Sequence, residues 1–200
     1  MSLIGEVIKS GSTKVIIQLY DPLRIPKFGE IVKILSGDYT IFSLIYDQEM
    51  QPIDAQIPKP LRLTRNELKM HYPDLSEKIV PICFGINIGY AYENEFRQII
   101  PPEAPLVHDL VYRATNDEII NFHFHNLEWR IDYLRRLLSD PDLKFIVIDL
   151  IRALIRFVFN YIPDQDKENF LVALLNVYQS ISTPSVTPQI IIEIVKEARS

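Results

Sequence analysis

The histidines His123 and His125, separated by Phe124, are the nearest approach to a metal site in the sequence. In an extended segment both imidazoles would lie on one face and could supply two metal ligands. On a helix they would point about 200° apart and could not share an ion. A third ligand could come from Asp117 or Glu118, but no spacing selects either one. The sequence therefore favours structural histidines at a helix junction, and we assign no metal ligand.

Residue patterns typical of phosphate-binding loops and of nucleophilic enzymes are also missing. Gly85-Ile86-Asn87-Ile88-Gly89-Tyr90 contains two glycines but no phosphate-binding lysine, and it lies in an apolar segment. We expect these glycines to allow strand bending or close packing. Cys83 lies between Ile82 and Phe84, whereas a reactive thiolate needs a cationic, partly exposed setting. The sequence therefore predicts no catalytic residue, no cofactor and no enzymatic activity.

Arginines form two small groups that could contact an anion or a partner protein. Asp149, Arg152 and Arg156 are three and four residues apart, so they form a polar stripe along a helix. Arg135 and Arg136 form a second basic group. Nearby carboxylates can pair with either group, so a structural salt bridge is the alternative interpretation. We name these five residues as candidate interface or ligand contacts.

The composition is that of a globular protein with an acidic balance. The chain has 200 residues, 48% of them hydrophobic, and 26 acidic residues outnumber 21 basic ones, for a net charge of -5. A protein that held DNA through its overall field would be basic, so nucleic acid could be bound only through a partner or a local arginine patch. The single cysteine leaves no internal disulfide and suits a reducing compartment.

The most apolar long segment, Phe145–Ile162, contains Asp149, Arg152 and Arg156. Three charges near a bilayer centre would oppose insertion. The amino-terminal residues also lack the continuous apolar run of a signal peptide. We expect a cytoplasmic protein without a membrane partner.

The first half of the sequence has the pattern of β-strands. Runs rich in Val and Ile alternate with Gly, Ser, Asp and Pro turns, and they occupy Leu3–Lys9, Lys14–Tyr20, Glu30–Leu35 and Thr40–Asp47. Strands at this spacing predict a small antiparallel barrel or a sandwich. Ile79–Tyr92 suits a bent strand or a hairpin in the wall. Between them, Thr64 and Glu67 have the spacing of a capping box, which predicts a short helix ending near His71.

After the proline tract 101–105 the pattern becomes helical. Thr115 and Glu118 form another capping box, and further helices are predicted from about Asn126 and over Leu143–Ile162, Glu168–Ile181 and Pro188–Ala198. Leu143–Ile162 is apolar around most of its circumference, so we expect the bundle and a second subunit to bury it together. The predicted fold class is α+β: an amino-terminal antiparallel β-barrel domain, residues 1–105, followed by a carboxy-terminal helical bundle, residues 106–200.

The amino-terminal segments resemble the HAS-barrel, the small β-barrel of HerA-type DNA translocases and of the ATP synthase α and β subunits. The resemblance rests on Ile4–Ser12, on Ile25–Val32 with Gly29 before a valine-containing strand, and on Thr40–Asp47. It covers residues 3–50 and extends loosely to about 110. The RecA-like ATPase of the motor proteins has no counterpart here, so the chain is similar to stand-alone HAS-barrel proteins and receives none of the family's catalytic residues.

The resemblance implies a barrel that packs side by side with others or docks a partner. We therefore expect a non-catalytic interaction or assembly module that self-associates or binds a protein such as a DNA-processing motor. Two alternatives remain at this stage: an accessory nucleic-acid-binding factor that uses local arginines, and a metal-dependent enzyme with an unrecognised site near His108, His123 and His125.

Overall fold

The first four strands pair as two consecutive hairpins, as the sequence predicts. The protein is described by a computed structural model over residues 2–52, 62–71, 79–181, 192–194 and 196. The hairpins consist of β1 (Leu3–Lys9) with β2 (Lys14–Leu19), and of β3 (Ile31–Ser36) with β4 (Tyr39–Pro52). The turn signals at 10–12 and 36–38 therefore mark two real reversals of the chain.

Two further strands close the sheet into a six-stranded antiparallel barrel. The long strand β5 (Ile79–Tyr92) pairs with β4 along its length and with β2 from Ile82 to Ile86. The short strand β7 (Leu110–Arg113) lies between β1 and β3, and β6 (Glu95–Arg97) adds to the end of β5. The barrel therefore takes a strand from beyond Pro105, where we expected the barrel region to end.

The barrel wall has apolar side chains on both of its faces. One cluster fills the interior, with Val7, Ile17, Val32, Ile34, Ile45 and Val111 among its members. A second cluster joins the outer face of β3, β4 and β5 to the helices, through Ile31, Phe42, Leu44, Ile86 and Ile88. Strands β4 and β5 are consequently buried on both sides, which explains their nearly continuous apolar sequence.

The helical half begins with a capping box that is joined to the barrel. Thr115 accepts a hydrogen bond from the backbone N–H of Glu118 at the start of α2 (Asn116–His123; α1 is Arg65–His71), which confirms the predicted helix start. The Glu118 carboxylate also lies 2.5 Å from the Nζ of Lys33, a buried lysine of β3. The capping box predicted at Thr64 is likewise present, with Glu67 accepting from the Thr64 backbone N–H.

Only the second half of the helix predicted from Asn126 forms. A small hairpin of β8 (Phe124–His125) and β9 (Glu128–Trp129) takes the place of the first half, and Asn126 and Leu127 have positive φ angles at the turn of this hairpin. Helix α3 begins only at Leu134 and ends at Ser139. Two consecutive residues with left-handed backbone angles cannot continue an α-helix. The spacing of the leucines therefore predicted the wrong local structure for the segment of β8 and β9.

The last helices differ in their bounds from the prediction. After a 3₁₀ turn at Pro141–Leu143, α4 spans Val147–Phe159 and α5 spans Asp164–Gln179. Helix α4 is shorter than Leu143–Ile162, whereas α5 begins four residues before Glu168 and ends two residues before Ile181. Of the helix predicted at Pro188–Ala198, only residues 192–194 and 196 lie in the described part, and these are helical. Across the described ranges, none of the helices combines the length and apolarity needed to cross a bilayer.

Helix α4 is buried by its own chain. Its inward side chains belong to the cluster shared with the barrel: Val147, Leu150, Ile151, Leu154, Ile155 and Val158. Asp149 and Arg156 are exposed on the opposite side. The expected burial of α4 within its own chain is therefore confirmed for this side, and additional burial by a second subunit stays a prediction.

Candidate functional site

His123 and His125 do not form a shared metal site. His123 is fully buried, with Nδ1 2.8 Å from the carbonyl oxygen of Ile119 and Nε2 2.8 Å from the hydroxyl of Tyr133. Because a carbonyl only accepts, Nδ1 carries the proton and Nε2 accepts from Tyr133. His125 lies exposed in β8. In the part of the chain that the structure describes, no three His, Cys, Asp or Glu side chains converge to hold a metal.

Cys83 and the two nearby glycines, Gly85 and Gly89, have structural roles in the barrel. Cys83 is buried in the barrel interior, and burial raises the pKa of its thiol to about 12, which disfavours a reactive thiolate. A Cβ atom added at Gly89 would lie 2.8 Å from the Phe122 ring of α2. The predicted close packing at these glycines is thus confirmed.

The polar stripe of α4 contains a partly exposed ion pair. Arg152 donates to Asp149 across 3.2 Å, within one helical turn; the Asp149 side chain is largely exposed, whereas Arg152 is only partly exposed. Arg156 is exposed one turn further along. An ion pair at the protein surface contributes at most about 1 kcal/mol, so Asp149 and Arg156 belong to a solvated helix surface and Arg152 lies at its border.

The other two predicted arginines have different environments. Arg135 is exposed, whereas Arg136 is partly buried between α3 and the barrel. The Nη2 of Arg136 donates to the carbonyl oxygen of Ile88 across 2.6 Å. Burial lowers the pKa of the Arg136 guanidinium. Arg135 therefore faces solvent, whereas Arg136 lies on the wall of a cavity between β5 and α3, so the two arginines do not form one basic patch.

A partly apolar surface lies on the side of the barrel that the helices leave uncovered. We call it the β1–β7 face and define it by Leu3, Glu6, Tyr20, Leu35, Leu110 and Tyr112. The exposed fractions of its apolar side chains are 45% for Leu3, 52% for Tyr20, 38% for Leu35 and 39% for Leu110. Leu106 and Val107, both exposed, flank it where the chain enters β7.

Strand register makes the β1–β7 face continuous. Leu110 of β7 is the direct cross-strand neighbour of both Glu6 and Leu35, and Tyr112 is the neighbour of Leu3. Partial desolvation, together with the nearby Glu6 and Tyr112, raises the pKa of the Tyr20 phenol. Directly opposed side chains are close enough to form one surface. The face is therefore a patch and not a scatter of single exposed residues.

Sequence inspection missed the β1–β7 face because it did not identify β7. Once Leu110–Arg113 is read as a strand, alternation places Val111 inside the barrel and Leu110 outside. An outward leucine at a position where a polar residue is usual is the signal that could have revealed the face.

The Nδ1 of His108 lies 3.1 Å from the Glu6 carboxylate at the border of this face. His108 has a positive φ of 74°, and its backbone N–H donates to the carbonyl of Val7. The side-chain contact to Glu6 and the backbone bond to Val7 together order the turn before β7.

Searches with the whole chain found neither a matching protein-family model nor a matching curated protein.

Proposed function

We propose that the protein is a non-catalytic docking and assembly module whose β1–β7 face binds a protein partner. The observation that supports this function best is the contiguity of Leu35, Leu110 and Leu3 on a barrel wall that the chain's own helices leave open. Contiguous exposed apolar surface is uncommon on soluble proteins and marks interaction sites. The partner surface is therefore apolar at its centre.

The resemblance to the HAS-barrel supports a particular class of partner. In that family the barrel precedes a DNA-translocating or ATP-synthesising motor, and barrels pack side by side. The closed six-stranded antiparallel barrel of this chain supports the barrel part of that resemblance. We propose a DNA-processing motor as the partner, with its barrel or another apolar surface against the β1–β7 face.

Direct binding of nucleic acid has weaker support. Of the predicted arginines, Arg136 is turned toward Ile88 and Arg152 is paired with Asp149, which leaves Arg135 and Arg156 as exposed cations. Two separate cations at the surface of an acidic chain make a poor phosphate-binding surface. The motor would therefore supply the contacts to DNA.

The test replaces Leu110 with lysine. In Leu110→Lys the new ammonium lies opposite Glu6, so the strand pairing is preserved while the centre of the face becomes charged. We expect partner binding, measured by affinity capture followed by quantitative titration of the captured motor, to weaken about tenfold or more, as for truncation of a central interface residue.

The control is Leu127→Lys. Leu127 is 88% exposed on the β8–β9 turn, away from the barrel wall, so its replacement should leave binding unchanged. Light scattering after size exclusion, performed on both variants at micromolar concentration, separates a motor partner from a second copy of the chain. Equal binding by wild type and Leu110→Lys would contradict the proposal, as would a wild-type monomer that captures nothing.

A further inference from the structure

We propose that a cavity between β5 and α3 binds a small apolar molecule bearing a carboxylate, with Arg136 as its counter-ion. The cavity has a volume of about 250 Å³. Its walls are mainly apolar and include Ile86, Ile88, Leu137 and Pro141. Apolar walls with a few convergent polar groups are the usual composition of a ligand site.

Arg136 provides the charge that selects the ligand. Its guanidinium carries five N–H donors, and one of its nitrogens donates to the Ile88 carbonyl. Among the described residues no carboxylate lies within 4.0 Å of this guanidinium. A partly buried cation without a counter-ion is unfavourable, and a ligand carboxylate would offset that cost through charge-assisted hydrogen bonds.

Three of the other polar residues of the cavity, Asn87, Tyr133 and Asp140, have partners inside the protein. Asn87 donates to the carbonyls of Gly11 and Ser12, and the Tyr133 hydroxyl bonds to His123. Asp140, the acid nearest in sequence to Arg136 on the cavity wall, pairs with Lys14 across 2.9 Å. Of the two charged residues on the cavity wall, Asp140 is therefore paired, and Arg136 has no ion-pair partner among the described residues.

The volume limits the apolar part of the ligand to about one ring. A cavity of about 150 Å³ is known to hold benzene, so 250 Å³ accommodates a ring or a branched alkyl group together with a carboxylate. The ligand class is therefore a small aromatic or branched monocarboxylic acid. Benzoate and phenylacetate are suitable probes, and benzyl alcohol is a matched neutral probe that retains the ring but lacks the charge.

Methyl NMR of the wild-type protein tests the location of binding. On titration with benzoate, which has the same number of carbon atoms as benzyl alcohol, we expect saturable shifts of the methyl resonances of Ile86, Ile88 and Leu137, and weaker binding of benzyl alcohol by about tenfold. Absence of saturable shifts, shifts confined to other parts of the chain, or equal affinity for the neutral probe would overturn the proposal.

Three arginine variants test the counter-ion. Arg136→Met retains much of the side-chain volume without the charge and should bind phenylacetate about tenfold or more weakly, whereas Arg135→Met, at an exposed neighbouring position, should bind like the wild type. Arg136→Lys keeps the charge but not the planar donor fork, so an intermediate affinity is expected. Unchanged affinity in Arg136→Met would overturn the assignment, and the wild-type methyl shifts decide the question if that variant does not fold.

Discussion

His123, which is bonded to Tyr133, resembles a metal ligand in the sequence but has a structural role in the fold. His123 is enclosed by aromatic rings, with Phe122, Tyr133 and Phe170 at centroid distances of 5.2, 5.8 and 5.7 Å. Burial lowers the pKa of its imidazole to about 4, although the hydrogen bond to Ile119 raises it in part. A neutral imidazole with both nitrogens bonded is therefore a fixed component of the core.

This buried imidazole predicts a loss of stability in mild acid. The unfolded chain binds a proton at His123 near pH 6.5, whereas the folded protein resists protonation until about pH 4, so stability falls as pH decreases through this interval. Across this interval the loss of unfolding free energy due to His123 reaches about 3 kcal/mol, because one pKa unit corresponds to about 1.4 kcal/mol. Urea denaturation at pH 7, 6, 5 and 4 measures the slope.

Replacement of each histidine separates this effect from other titrations. His123→Gln should flatten the decline in unfolding free energy between pH 6.5 and 4, whatever its stability at pH 7. His125→Gln, at an exposed site, should retain the wild-type slope. A wild-type slope in His123→Gln would show that other groups cause the acid sensitivity.

At the scale of elements, the contact between the barrel and α4 depends on Gly29. Gly29 has a positive φ of 81°, and a Cβ atom built on it would lie 2.5 Å from the Cβ of Ala153 and 2.8 Å from the backbone nitrogen of Leu154. Its backbone N–H donates to the carbonyl oxygen of Ile45 in β4. Gly29, two residues before β3, thus permits both a chain reversal and direct contact with a helix.

Gly29→Ala should destabilise the protein by about 2–4 kcal/mol, the combined cost of a left-handed alanine and an overpacked contact. Gly37→Ala is the matched control. It shares a positive φ, 58°, but a Cβ atom there would meet no atom within 4 Å, so only the backbone cost of about 1–2 kcal/mol applies. Denaturant unfolding measures both variants, and equal losses would contradict a close helix contact at Gly29.

The elements predicted well were those specified by local chemistry. The strands β1 to β4 and both capping boxes follow from alternation and from side-chain hydrogen bonds within four residues, so they can be recognised without tertiary information. The strand β7 and the β8–β9 hairpin were missed, because four residues give too little periodicity and Leu127 adopts a positive φ that leucine rarely takes.

The candidate sites were harder to predict because they depend on side chains brought together by barrel closure. Leu35 and Leu110 are 75 positions apart and meet through the β3–β7 register, a pairing that local sequence does not encode. Arg136 lies on the cavity wall, whereas its sequence neighbour Arg135 is exposed, a difference that their adjacent positions do not reveal. Register and cavity shape are tertiary properties, and hydrophobic periodicity does not report them.

At the scale of the whole molecule, the barrel and the helices share one apolar core, and we predict that they unfold together. The outward side chains of the barrel that pack against the helices are Ile31, Phe42, Leu44, Ile86 and Ile88. A fragment of residues 1–114 would retain all six barrel strands but expose these five side chains, so we expect it to aggregate or remain unfolded. For the full chain, calorimetry should show one transition with equal calorimetric and van't Hoff enthalpies. Two separate transitions, or a soluble fragment with a cooperative unfolding curve, would show that the barrel is stable without the helices.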